Sequence, residues 1–159
     1  MKSLQKTVLA LALSGLFICN AALAATTCED EVGALNKMLA EKGVAKINDT
    51  AKLATTLRQL NQTGRLPKEY ITSNEAKKLG WSGNDSDTLW GLKPTNGKLI
   101  GGDGYSNASL PTSNRWYSAD VDVSRGYRSI MRLIYSPETP QKFISPDTYR
   151  NFVEVAPCQ

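Results

Sequence analysis

The chain has 159 residues, of which 41% are apolar, 21% charged and 8% aromatic, with a mildly negative mean hydropathy. That length suits one domain and leaves no room for two full cores. Histidine is absent and there are only three cysteines. This excludes histidine acid/base catalysis, Ser-His-Asp and Cys-His nucleophile systems, His-containing zinc sites and four-thiolate metal centres. No metal or cofactor is expected.

Residues 1–24 read as a signal peptide. Lys2 and Lys6 precede an apolar run from Val8 to Ile18, and Ala22-Leu23-Ala24 has the A-x-A form of a cleavage site. The apolar run is short for a bilayer span, so export with cleavage near Ala24 is expected rather than a membrane anchor. Removing Lys2 and Lys6 from the 19 basic residues leaves 17 against 15 acidic ones, a net charge of +2. Attraction for polyanions must then come from local clustering. Cys19 leaves with the leader, and Cys28 and Cys158 remain near the two ends. An even pair in an exported chain reads as a disulfide. Closing so long a loop is worth ~4–5 kcal/mol in the chain-entropy model.

In the mature chain, Val32, Leu35, Met38 and Leu39 give one apolar face to a helix over 29–42. Glu29, Asp30 and Glu31 open it, and Gly43 stops it. A second helix is expected from Asn48 or Asp49 to Gln62, with Leu53, Leu57 and Leu60 as its stripe and Gly64 as its end. Thr72-Ser73-Asn74-Glu75 has the form of a capping box and starts a short third helix that ends at Gly80. Residues 82–97 read as a loop held by Trp90 and Leu92, and Trp81, Trp90 and Trp116 as core or core-edge residues. Strands are expected at 98–100, 115–123, 128–135, 142–144 and 151–155, separated by proline and glycine turns. Helices followed by a twisted antiparallel sheet make an α+β fold.

Several segments carry a resemblance. They are Leu66-Pro67-x-x-Tyr70-Ile71-Thr72-x-x-Glu75-Ala76-x-x-Leu79-Gly80-Trp81, Ile100-Gly101-Gly102-Asp103 with Ser106-Asn107, and Trp116-x-x-Ala119-Asp120. Gly126-Tyr127-Arg128-x-x-x-Arg132-x-x-Tyr135-Ser136 and Asp147-x-Tyr149-x-x-Phe152 follow. In order and at nearly constant spacing from Asn48 to Val155, they resemble the barnase-type microbial ribonucleases. The resemblance implies a domain over 45–159, with 25–44 as an added N-terminal helical segment. It also implies cleavage of single-stranded RNA after guanine. There the 2′-hydroxyl attacks the adjacent phosphate, helped by a Glu base, a His acid and two phosphate-binding arginines.

The chain departs from that pattern at the chemistry. Ser118 stands at the base position and Thr148 at the acid position. Ser73 replaces a helix lysine, and Ser106-Asn107-Ala108-Ser109 lacks the base-recognition carboxylate. Serine and threonine do not titrate near neutrality, so the family mechanism is expected to be lost or crippled. Asp120 and Asp122, two apart on a strand, are the carboxylates considered as substitutes. The resemblance assigns Asp120 to holding the arginines, and Asp122 reads as a polar strand position.

The retained apparatus is Arg128 and Arg132, placed on one strand face by their spacing and able to grip phosphate or pair with Asp120. Tyr149 is the base-stacking or packing aromatic, and Ser106 and Asn107 contact a base edge or form a simple turn. Arg115, Arg125, Lys142 and Arg150 form a basic rim or a solvated face. Three functions compete. One is an exported, catalytically impaired protein that binds RNA or phosphate. Another is an active RNA endonuclease using altered groups, and the third is an exported module binding a protein partner. A monomer without membrane attachment after leader removal is expected.

Overall fold

A computed structural model describes Gly15 and residues 24–159; the expected leader lies almost wholly outside these described residues. Helix α1 spans Cys28–Glu41, α2 Thr50–Thr63 and α3 Ser73–Lys78. The strands are β1 Tyr70–Ile71, β2 Leu99–Tyr105, β3 Trp116–Val121, β4 Met131–Ser136, β5 Thr139–Ser145 and β6 Val153–Val155. They form one six-stranded sheet in the order β1-β2-β3-β4-β5-β6. Every pairing is antiparallel except β1 with β2. The α+β expectation therefore holds.

The helix ends follow their side chains. Thr27 accepts from Asp30 N–H to cap α1, and Asp49 accepts from Lys52 N–H to cap α2. Gly64 closes α2 in the left-handed conformation, with φ 71°. Both halves of the Thr72–Glu75 capping box are present at α3.

One sheet face packs on α1 and α2. Val32, Leu35, Leu39, Leu53, Leu57 and Leu60 meet Ala119, Val121, Met131, Leu133, Ile144, Val153 and Val155 there. Fully burying one Val, Leu or Ile side chain is worth about 1.5–3 kcal/mol, so this layer is the main source of stability. α1 is stitched into the same core. Cys28 and Cys158 are disulfide-bonded, the buried Glu31 carboxylate accepts from Ala156 N–H at 2.7 Å, and Cys28 N–H donates to Gln159 O at 3.1 Å.

The opposite sheet face carries two smaller apolar clusters. Ala76, Trp81, Leu89 and Ile100 pack beneath α3 and the 82–97 loop. Leu110, Trp116 and Ile134 pack with Tyr105, Phe143, Tyr149 and Phe152 at the other end. The 82–97 loop is anchored differently from the expectation. Leu89 and Thr95 are buried, whereas Leu92 and Trp90 are 39% and 37% exposed. Trp90 instead donates its indole N–H to Lys98 O at 2.9 Å, and Gly126 sits directly on its ring.

The strand edges also shift. β2 runs five residues past the expected end at 100, through Gly101, Gly102 and Gly104, to Tyr105. β4 begins at Met131 rather than at 128, so Arg128 is not a strand residue. Asp122 lies beyond β3 with φ 59° and is not a strand position either. Its carboxylate accepts from Asn48 N–H, Asn48 Nδ2 and Asp49 N–H at 2.7, 3.2 and 2.9 Å. It tethers the start of α2, which removes it as a substitute base.

Candidate functional site

The site follows from strand register. Directly paired residues in an antiparallel sheet share a face, as do residues two apart on one strand. Ser118 pairs with Asp103 on one side and Ile134 on the other, and Asp120 pairs with Arg132, which pairs with Ser145. Asp103, Ser118, Asp120, Arg132 and Ser145 therefore form a polar row across the face away from α1 and α2. The two smaller apolar clusters flank it.

A bulge brings Asp103 into this row. The β2–β3 register shifts between Gly101 and Asp103, with Gly102 as the extra residue at φ 96°. Gly101 opposes Ala119 on the core face, and a Cβ there would meet the Tyr70 ring at 2.5 Å. Unbulged alternation would bury Asp103 on that same face; the inserted Gly102 turns it outward. Its carboxylate accepts from Ser73 N–H at 2.9 Å and from the Ser73 hydroxyl. Ser73 thus belongs to the row, joined to a carboxylate that alternation in the sequence did not reveal. The Gly-Gly pair inside a strand pattern was the available signal.

Asp120 is 1% exposed and holds both arginines. Its carboxylate accepts from Arg128 Nε at 3.0 Å and Nη2 at 2.9 Å, a forked contact, and lies 3.3 Å from Arg132 Nε. Arg132 is 4% exposed and also donates through Nη1 to Ser129 O and Met131 O. Its Nε is buried without a well-aligned acceptor. Arg128 reaches the row from the 122–130 loop, which Gly126 N–Cα geometry, the Leu89 N–H to Gly126 O bond (3.0 Å) and the Ser124–Tyr127 bridge hold in place. Its Nη1 lies 3.7 Å from the exposed Asp85 carboxylate, a contact between distant loops that no local motif signals. Burial opposes the Arg128 charge, but the Asp120 carboxylate more than offsets this and raises its pKa. The two arginines meet at Asp120, the salt-bridge alternative of the sequence analysis, and Arg128 reaches it from a loop rather than from a shared strand face.

Thr148 and Tyr149 occupy consecutive left-handed conformations, φ 53° and 69°. Such backbone costs of order 1–3 kcal/mol per non-glycine residue and persists only where neighbours enforce it. Here Thr148 N–H donates to Ile130 O and Tyr149 N–H to Ser145 Oγ, both at 2.8 Å. Asp147 accepts from Arg150 N–H, Asn151 N–H and the Asn151 amide. Burial pushes the Asp147 carboxyl up, but the Asn151 bonds and the others outweigh it and hold its pKa below the usual range. The exposed Thr148 hydroxyl has only a 3.4 Å contact with Ile130 O.

Tyr149 stacks on Tyr105, ring centroids 4.3 Å apart and planes at 20°, with the Arg132 guanidinium 6.0 Å from its ring centre. The Tyr105 hydroxyl accepts from Asn107 Nδ2 at 3.0 Å, and Asn107 Oδ1 accepts from Ser109 N–H and Oγ. Asn107 thus shapes its own turn beside an open depression of about 500 Å3 that Ser106, Asn107, Tyr105 and Trp116 border. Two of the four residues considered for a basic rim are engaged elsewhere. Arg115 pairs with Glu138, and Lys142 is buried on the other side of the sheet. Among the described residues no group of three or more His, Cys, Asp or Glu side chains is arranged to hold a metal ion.

No family model matches the chain. Against individual proteins it is 40% identical over 78 residues to a ribonuclease of Heyndrickxia coagulans, covering 46% of this chain and 69% of that protein. Ribonucleases of Bacillus intermedius and Bacillus pumilus match at 40% over 78 residues as well, and the alignment spans 46% of each. The helices-then-sheet fold and these identities agree with the motifs spread from Leu66 to Phe152, and the chain belongs to the barnase-type microbial ribonuclease family.

Proposed function

We propose that this is an exported ribonuclease-family protein that engages RNA or a phosphate-bearing ligand in the Arg128–Arg132 cleft, with the family's endoribonuclease chemistry lost or strongly impaired. The observation that carries this reading is the pair of hydroxyls at 118 and 148. Ser118 is 7% exposed within the sheet, and the Thr148 hydroxyl leans on a carbonyl. Neither group exchanges a proton near neutral pH, and each missing acid or base typically costs ~10²–10⁴ in rate. Binding is supported by two arginines held side by side on Asp120, with Tyr149 and Tyr105 as aromatic surfaces. Export is supported by the leader-like residues 1–24 and the Cys28–Cys158 bond.

The test is timed cleavage of a guanine-containing RNA by the disulfide-bonded protein and by a Ser118→Glu, Thr148→His double variant. The natural protein is expected to be inert and the double variant to gain activity. A labelled RNA should bind the natural protein with strong salt dependence, and Arg128→Ala should weaken binding about tenfold. Cleavage by the natural protein that disappears in Arg128→Ala overturns the impaired reading. In that event the second reading, an active enzyme with altered groups, is favoured by Asp103. Its carboxylate lies directly across from Ser118, one strand away from the family's base position. Loss of such cleavage in Asp103→Asn, with Asp122→Asn unaffected, identifies it as the recruited base.

A further inference from the structure

The helix-covered side of the sheet holds a second cavity, on the face opposite the cleft. About 610 Å3 lies between the C-terminal end of α2, the β4–β5 hairpin and the chain's last residues, bordered by Leu60, Asn61, Tyr135, Pro140, Lys142 and Pro157. Lys142 pairs with Tyr135 and Val155, so its side chain leaves the core face of the sheet. It is 5% exposed.

Its ammonium donates to Asn61 Oδ1 at 2.7 Å and Pro140 O at 3.1 Å, both neutral acceptors. An ammonium has three donors, so one is left over. Among the described residues no carboxylate forms an ion pair with it. Glu138 also borders the cavity, but its carboxylate is taken by Arg115, through Nε at 2.7 Å and the backbone N–H at 3.0 Å. The C-terminal end of α2 supplies at most about half a negative charge. A buried cation without a full counter-charge is costly to the fold. Burial accordingly pushes the Lys142 pKa down.

We propose that this cavity binds a small organic monocarboxylate, its carboxylate on the free Lys142 donor and its apolar body against Leu60, Tyr135 and the prolines. One ammonium matches one carboxylate charge. A phosphate dianion would bring a second charge against the α2 C-terminus and Glu138, so it is the poorer ligand. The cavity and the cleft lie on opposite faces of the sheet, and this inference does not depend on the cleft's binding RNA.

The test uses 3-phenylpropionate, benzoate and hexanoate as probes, with 3-phenylpropanamide and inorganic phosphate as comparisons. Binding is followed by calorimetry on the disulfide-bonded natural protein, on Lys142→Met and on Arg128→Ala. At least one carboxylate is expected to bind the natural protein about tenfold or more tighter than the amide or phosphate. Lys142→Met should abolish that preference, and Arg128→Ala should leave it intact. Equal binding of acid and amide, preference for phosphate, loss in Arg128→Ala, or no saturable binding by any of the carboxylates overturns the proposal. Melting of the unliganded proteins gives a second readout that needs no ligand. Lys142→Met should melt no lower than the natural protein, because it removes an uncompensated charge. A clear fall in melting temperature makes Lys142 a structural donor and also overturns the proposal.

Discussion

Asp147 organises the segment that presents Thr148 and Tyr149. It does so as an ionised acceptor, gathering donors from Arg150, Asn151 and Ser145. Burial raises its pKa, but the Asn151 bonds with the rest lower it by more, so the folded value lies below the unfolded one. A carboxyl shifted this way stabilises the fold fully above the unfolded pKa, and that contribution is lost as pH falls through the folded value. Acid titration of stability, followed by melting temperature from pH 6 downward, should therefore fall less steeply in Asp147→Asn than in the natural protein. Equal acid slopes would show that Asp147 contributes no linked stability. The aspartate at 147 is legible from Asp147-x-Tyr149, but its clamp is not, because its partners only meet it once the turn has closed.

At the scale of the element, β2 decides what the cleft contains. The Gly101–Gly102 pair performs two separate tasks. Gly101 lets β2 press on Tyr70, whose hydroxyl donates to Asp120 O at 2.8 Å, and Gly102 supplies the positive φ of the bulge. Gly101→Ala would drive a methyl to 2.5 Å from the Tyr70 ring, 2.9 Å from Leu66 and 3.0 Å from Ala119. Overpacking of this kind costs about 1–3 kcal/mol, read as a lower urea midpoint at unchanged slope. A midpoint equal to that of the natural protein would mean that β1 and β2 can part without loss. Because the bulge reverses face alternation, counting along the strand places Asp103 on the wrong side. Helix boundaries were far more legible. Thr72 caps α3 from the position its capping-box motif indicated, and Thr27 and Asp49 cap α1 and α2 beside the expected helix starts, since capping is a local interaction.

Across the whole molecule, the ends of the described chain are tied together. The Cys28–Cys158 bond spans 130 residues of sequence, and Glu31, Arg58 and Asn61 add polar contacts around it. Cross-linking so long a loop removes conformational freedom from the unfolded chain. A Cys28→Ala, Cys158→Ala double variant should lose about 2–5 kcal/mol in denaturant unfolding, as should the natural protein after reduction. If reduction leaves the unfolding midpoint in place, the seam from α1 to β6 is held by packing alone. The cleft's charge balance is a property of this scale too. Arg128 and Arg132 are met by Asp120 and Asp85, with Asp103 in the same polar row, so the two guanidinium charges are balanced by carboxylates from separate segments.

The amino-acid sequence alone determined the family resemblance, the three helices and the strands from β2 to β6 in order, the capping box of α3, and the presence of Ser118 and Thr148 at the positions the resemblance assigns to a base and an acid. All of these rest on residue identity or on contacts a few positions apart. The tertiary structure alone decided that Asp103 joins the cleft, that Asp122 anchors α2, that Arg128 reaches Asp120 from a loop, and that Lys142 lies buried behind the sheet beside a cavity. Each of these depends on register, a bulge or a contact between distant segments. A single inserted residue reverses every face that follows it, and no local propensity records which remote group will arrive opposite.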